Sequence, residues 1–338
     1  MLLKKLCETN AVSGNEKAVR DIIMSEIADF ADEMKVDTMG NLIAYKKGKS
    51  SDKKIMMSAH MDEVGFIITG VTDKGYLRFD TVGGIDTRVI ISKKVRIGDK
   101  KVAGIIGMKA IHLQKPSERK NVPEIKDLFI DIGATSKDDA LKKVKLGDYA
   151  TFDTEYAEIG SGKIKAKALD DRVGCTVLVE TLKNECKYDR YVCFLVQEEV
   201  GLRGAQIAAN RIKPDIALVL ESTTCSDVFG SKEHEYATTL GGGVVVSFMD
   251  RSSIVNKDYY KWLYDSAEKA NIPVQYKRTT MGGNDAGAIY ISTEGVKTAS
   301  LSVPCRYLHS PAGIIAKSDM KAMHDLVELF IENAEDLI

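Results

Sequence analysis

The sequence predicts an α/β sandwich with a small β-rich insertion, on three observations. Short apolar runs that read as buried strands alternate with amphipathic helical patterns at both ends of the chain. From about residue 67 to about residue 160 that rhythm gives way to short β-like pieces punctuated by Gly75, Gly83, Gly84, Gly98 and Gly107. The 338 residues, 44% hydrophobic and 29% charged, suffice for two domains and a sizeable core.

Taken in order, Ser13-Gly14-Asn15-Glu16 matches a capping box, and Val19, Ile22, Ile23, Ile27 and Phe30 follow at helical spacing, so a helix is expected over about residues 15–30. Two short strands, 33–37 and 42–45, flank Thr38-Met39-Gly40-Asn41, a tight-hairpin sequence. Residues 55–59 form a compact buried strand ending at His60. In the insertion, strands are expected at 66–71, 76–80, 88–97, 102–108 and 128–132. The polar stretch 109–126, with Pro116 and Pro123, reads as a mobile loop. The βαβ rhythm then returns. A helix follows Asp171 with Val173, Val177, Leu178 and Leu182 on one face; strands at 192–196, 216–220, 244–248 and 296–301 alternate with helices at 205–210, 258–270 and from about 318.

Composition excludes several function classes. A net charge of −1 and a pI near 6.6 argue against a dedicated nucleic-acid surface. No run approaches the roughly 20 apolar residues of a membrane span, and the first residues lack a signal peptide's apolar stretch and cleavage site, so a cytoplasmic location is expected. The six cysteines show neither CxxC nor zinc-ribbon spacing and read as reduced structural thiols.

Chemistry-bearing residues stand where apolar runs end: His60, Glu198, Glu199, Glu221 and His309, with Asp170 opening a helix. A lone carboxylate is costly to desolvate, so it must meet water, a cation or a metal. Each position has a commonplace explanation. Asp170 or Asp171 can cap a helix, Glu198 and Glu199 can be a solvated strand end, and Ser310-Pro311 can simply make a turn after His309. Yet two adjacent glutamates repel unless a cation or proton lies between them, and two aspartates exceed what one cap needs. Asp62 can orient His60 through its second nitrogen. In open α/β sheets strand ends of this kind converge at one edge, where ligands bind. Two imidazoles and three carboxylates are what a pair of zinc-like ions requires. His112, His234 and His324 read as ordinary loop or helix residues.

The order and local words of these sites resemble the M42 family of metallo-aminopeptidases, relatives of the tetrahedral TET peptidases. The resemblance rests on Asn41-Leu42-Ile43, Ala59-His60-Met61-Asp62-Glu63-Val64-Gly65, Leu169-Asp170-Asp171-Arg172, Gln197-Glu198-Glu199-Val200, Met249-Asp250-Arg251-Ser252, Gly282-Gly283-Asn284-Asp285-Ala286-Gly287 and Arg306-Tyr307-Leu308-His309-Ser310-Pro311. It spans essentially the whole chain.

The resemblance implies a three-layer sandwich with a mixed sheet, of the zinc-peptidase type, formed by residues 1–66 and 161–338. Residues 67–160 would be a barrel-like dimerisation domain. It implies two divalent ions, zinc or cobalt, with Asp170 bridging them, His60 and Glu221 completing one site, and Glu199 and His309 the other. Glu198 would be general base and acid, Asp62 would orient His60, and Asn284 and Asp285 would lie near the substrate. Many relatives carry Asp at the position of Glu221 and Thr at that of Asn284, so metal preference and specificity do not transfer. The substrates implied are short peptides cleaved at their N-terminus, and the partners are further copies of the chain, as dimers joined into a tetrahedral dodecamer. Two other readings stand beside this one. A glycoside hydrolase also uses paired carboxylates, though flanking the bond roughly 5–9.5 Å apart. A non-catalytic metal-binding scaffold would have no evident need of Glu198.

Overall fold

The computed structural model describes residues 1–337, and its centre is an eight-stranded mixed sheet. In spatial order the strands are Glu33–Val36, Leu42–Lys46, Tyr188–Leu195, Ser50–His60, Ile216–Thr224, Lys297–Cys305, Val244–Val246 and Val274–Tyr276. The strands from Tyr188–Leu195 to Lys297–Cys305 run parallel, and antiparallel partners flank them.

Strand alternation gives the sheet two different faces. One face, with Ile55, Met57, Ala59, Val192, Phe194, Leu218 and Leu220, packs on helices Lys17–Ile27, Leu169–Thr181 and Lys317–Asn333. The other, with Met56, Cys193, Leu195, Ala217 and Val219, packs on Arg203–Ile212 and Asp285–Tyr290 through Ala205, Ala208, Ala209, Ala286 and Ile289. His60 and Glu221 continue this second series, two residues beyond Ser58 and Val219, which are neighbours in register.

Between Met61 and Lys167 the chain leaves the sheet. Strands Gly65–Val71, Leu77–Val82, Lys94–Ile97, Val102–Met108, Leu128–Asp131 and Tyr149–Phe152 close into a barrel. Its core is Phe66, Ile68, Val95, Ile97, Ile106 and Ile130, with Phe66 edge-on to Phe79 and Phe152 at 5.2 and 5.3 Å. The chain returns through a three-stranded sheet, Ala157–Ile159, Lys163–Ala166 and Gly313–Ala316. The barrel is therefore bracketed in sequence by His60 and Asp170.

Several expectations need correction. The helix expected over residues 15–30 spans Lys17–Ile27 and has no capping box: the Ser13 hydroxyl donates to Asp62 at 2.6 Å, while the Glu16 carboxylate accepts from Gly14 and Gln197 N–H. Residues 88–97 are not one strand, because Asp86 caps a short helix, Thr87–Ile90, and the strand begins at Lys94. The strand expected to end at Leu220 continues to Thr224, so Glu221 lies inside it, opposite Ser302. Helices Leu2–Cys7, Lys137–Lys143 and Asp285–Tyr290 and the three-stranded sheet carry too short an apolar pattern to have been read in advance. The stretch 109–126 is irregular apart from the single turns Ile111–Leu113 and Ile125–Asp127. All six cysteines are buried and free, and among the described residues no helix is long and apolar enough to cross a membrane.

Asn41 explains why the hairpin docks where it does. It is fully buried; its Oδ1 accepts from Val196 N–H at 3.0 Å, and its Nδ2 donates to Asp37 Oδ2 at 2.8 Å and to the Gly204 carbonyl at 3.0 Å. A Cβ on Gly204 would stand 2.3 Å from that Oδ1, so only glycine admits the contact. Asn41 thus fixes both ends of the segment carrying Glu198 and Glu199. Asn41→Ala strands buried donors and acceptors and is expected to cost roughly 2–4 kcal/mol in urea unfolding. An unchanged midpoint would contradict this reading.

Candidate metal centre

Two features of the local backbone aim Asp170 into the site. Asp170 and Asp171 have non-helical backbone angles at the start of Leu169–Thr181. Asp171 Oδ1 accepts from Gly174 N–H at 2.9 Å, and a Cβ on Gly174 would stand 2.4 Å from Asp171 Oδ2. Asp171 therefore does the capping, which leaves Asp170 free to face the strand ends.

The two oxygens of Asp170 meet different imidazoles. Oδ1 is 3.5 Å from His60 Nε2, and Oδ2 is 3.5 Å from His309 Nε2. Each imidazole has its own glutamate: Glu221 Oε2 at 3.6 Å from His60 Nε2, and Glu199 Oε2 at 3.2 Å from His309 Nε2. Asp170 Oδ1 and Glu221 Oε1 are buried without a hydrogen-bond partner among the described residues, a costly condition for carboxylate oxygens. Potential ligand atoms lie within 4.8 Å of one another in three overlapping sets: His60, Asp171 and Glu221; Asp170, Glu199 and His309; and His60, Glu198 and Glu199. Mixed imidazole and carboxylate donors suit a zinc-like cation. These residues fit such an ion.

The six residues expected at the centre, Glu198 included, are therefore brought together. Asp171 joins them, and its place within the Asp170-Asp171 pair was the available signal. Asp62 contributes differently from the simplest expectation. His60 Nδ1 is nearest the Asp62 backbone carbonyl, at 3.2 Å, with the carboxylate at 3.4 Å. The Asp62 carboxylate also accepts from Ser13 Oγ, from Glu198 N–H and from Glu199 N–H, the last two at 3.1 Å. One buried carboxylate thus fixes the backbone that presents both glutamates.

Glu63 extends this support. Its carboxylate takes two bonds from Lys167 Nζ, at 2.6 and 2.7 Å, one from Ala11 N–H, and lies 3.4 Å from Arg172 Nη2. Glu63, Lys167 and Arg172 are all buried, so the group links the His60 turn to the segments on both sides of Asp170. Sequence reading missed it because no periodic pattern marks an isolated ion pair. His309 is held by its loop: Ser310 Oγ donates to the Tyr307 carbonyl at 2.6 Å, and Arg306 grips Asp227 with two 2.8 Å bonds.

Asn284 spends its side-chain oxygen capping Asp285–Tyr290 through Ala286 N–H at 3.0 Å. Asp285 is fully buried, and neither of its oxygens has a partner among the described residues. His112, His234 and His324 lie outside the cluster.

Crowding of acids in a buried space shifts their carboxyls. Burial pushes Glu198, Glu221 and Asp171 well above the carboxylate range, raises Glu199, and brings Asp285 to about 7. Burial opposes charge on His309, but Asp170 and Glu199 overcome it and raise the imidazolium to about 11; His60 is likewise raised, by Asp170 and Asp62 against burial.

Most of the similar proteins are aminopeptidases by name, while a few of the solved structures carry the name endoglucanase. The family profile for M42 glutamyl aminopeptidase matches residues 40–326. The chain is 30% identical over 344 residues to the lysyl aminopeptidase of Pyrococcus furiosus, covering 99% of this chain and 97% of that protein. The TET aminopeptidase of the marine sediment archaeon Thaumarchaeota archaeon SCGC AB-539-E09 superimposes with a TM-score of 0.95 at 37% identity, covering 98% of this chain and 95% of that one. The Pyrococcus horikoshii TET1 peptidase, which can assemble into a tetrahedron or a large octahedral shell, gives 0.86 at 37% identity, with 98% of each chain covered.

Two outcomes follow from this geometry. A cation must displace protons from the raised groups, so its binding releases protons and weakens as pH falls. Calorimetric titration in buffers of different ionisation enthalpy should show this, and a buffer-independent heat would contradict it. Lys167→Met leaves Glu63 buried without its main cation and is expected to cost about 3–5 kcal/mol. Thermal unfolding with an unshifted midpoint would remove the supporting role.

Proposed function

The chain belongs to the M42 family of peptidases and is an aminopeptidase, and from that membership we propose that it removes N-terminal residues from short peptides with two divalent ions, zinc or cobalt, at the centre around Asp170. The observation that carries this reading is the facing of Asp170 Oδ1 and Oδ2 toward two separate imidazoles. Asp170 would bridge, His60 and Glu221 would complete one ion's ligands, and Glu199 and His309 the other's. Bound there, such ions acidify the attacking water and stabilise negative charge on the substrate carbonyl oxygen.

The chain's own residues do the rest. Glu198 takes the proton from the water and returns it to the departing amine. Burial raises its carboxyl, Asp285, Glu199 and Asp170 add to that, and His60 opposes it. A raised carboxyl is matched to accepting and then giving a proton near neutral pH. Asp62 keeps Glu198 and Glu199 in place through their successive N–H groups. That arrangement also counts against a glycosidase, whose carboxylates face each other across the bond.

The helices on both sheet faces support a three-layer sandwich, with 1–66 and 161–338 as the catalytic domain and 67–160 as an inserted domain for dimerisation. The exposed Ile105, Ile111, Leu113 and Val122 lie on that inserted part and suit contact with another copy. By analogy with the TET1 peptidase, dimers would join into a tetrahedral dodecamer that admits only short or unfolded peptides.

Glu198→Gln is expected to keep its metal content while kcat on aminoacyl p-nitroanilides falls by about 10²–10⁴-fold. Elemental analysis and kinetics on the same sample check this. A metal-loaded variant with wild-type turnover would refute the role of Glu198, and chelation-resistant cleavage of a soluble glucan would refute the peptidase reading.

A further inference from the structure

The barrel sends a turn to the metal centre: Gly83-Gly84-Ile85, directly after its strand Leu77–Val82. Gly83 has a φ of +84°, and a Cβ there would stand 2.9 Å from Val64 Cγ1 and 3.3 Å from Glu199 Cβ, so glycine lets the turn close on Glu199. Beyond it, Ile85 packs against the barrel core, and Asp86 caps the helix Thr87–Ile90. The turn is therefore held at both ends.

Gly84 lies between these anchors and is exposed, yet neither backbone nor packing demands glycine there. Its φ lies outside the left-handed region, and a Cβ would meet a single atom within 4 Å, His309 Nδ1 at an ordinary 3.8 Å. Glycine at a position that alanine could occupy costs the fold entropy. What the missing side chain keeps open is the space beside His309. Among the described residues no N–H or carbonyl of Gly83 or Gly84 is hydrogen-bonded, so this main chain has unspent donors and acceptors.

The centre is open on this side and closed on the other. The side chain of His309 is 35% exposed, whereas those of His60 and Glu221 are 1% and 4% exposed and Asp285 is fully buried. A peptide that enters amine first has nothing beyond its first residue, so its second and third residues must trail out through the open side. Gly84 borders that side.

We infer that the Gly83-Gly84 turn is the track for the main chain of the substrate's second and third residues, which lie across Gly84 and exchange hydrogen bonds with the turn as an added strand does. This rests on the aminopeptidase reading above. It gives the barrel a part in substrate binding within its own chain, separate from any contact between copies. Recognition of this kind reads the backbone and leaves the side chains of those two residues free to vary.

The test uses the full-length, metal-loaded enzyme as wild type and Gly84→Ala. The first residue, X, is the one whose p-nitroanilide the wild type cleaves fastest, or alanine where none is cleaved. The kcat/KM is measured for X-Gly-Gly and for X p-nitroanilide, which has no main chain beyond its first residue. Binding of X-Gly-Gly is measured by calorimetry in the Glu198→Gln background, with and without Gly84→Ala. The alanine variant should melt at or above the wild-type midpoint and hold the same metal content. Its ratio of tripeptide to p-nitroanilide kcat/KM should fall about tenfold, chiefly through KM, and its affinity for X-Gly-Gly by a similar factor. An unchanged ratio or affinity, or equal losses on both substrates, overturns the assignment. So does a clear drop in melting temperature, which would make Gly84 a requirement of the fold. Gly84-dependent tripeptide binding without cleavage of any aminoacyl substrate would sustain the track and overturn the peptidase reading.

Discussion

The structure is organised around one electrostatic constraint: Asp62, Asp170, Asp171, Glu198, Glu199, Glu221 and Asp285 share one largely buried region with only two imidazoles among them. Carboxylates held this way must protonate, hydrogen-bond or bind cations. Each solution is visible. Asp62 collects Ser13 and two backbone N–H groups, Asp171 caps its helix, and Asp170 and Glu221 keep buried oxygens without hydrogen-bond partners among the described residues. The unresolved remainder is what a pair of cations would satisfy.

The turn His60–Glu63 converts that constraint into geometry. Within four residues, His60 faces Asp170 and Glu221, Asp62 anchors the backbone of Glu198 and Glu199, and Glu63 binds Lys167 and Arg172 on either side of Asp170. The strand that delivers this turn is central in the sheet and parallel to both neighbours. The barrel departs directly after it and rejoins just before Asp170, so insertion of the barrel leaves the centre's spacing to these buried contacts.

Much of this was legible in the sequence, for identifiable reasons. Strong apolar runs ended at His60 and before Glu198, and the mixed helix–strand rhythm gave the sheet. Glu221 lies within its strand, which runs on to Thr224, and not at its end; its polarity on a buried face is the real signal. Ser13 and Glu16 imitated a capping box because a hydroxyl and a carboxylate at that spacing serve distant partners equally well. Contacts between residues far apart in the chain, such as Lys167 with Glu63 or Asn41 with Gly204, leave no periodic trace and needed coordinates.

The central claim is that one carboxylate serves two cations, and metal stoichiometry tests it most directly. Ion content per chain is measured after equilibrium dialysis for the wild type, His309→Ala and Asp170→Ala, with circular dichroism confirming that each is folded. The account predicts two ions in the wild type, one in the His309 variant, and weakened binding of both in the Asp170 variant. A folded Asp170→Ala protein that still holds two ions with wild-type affinity would contradict it.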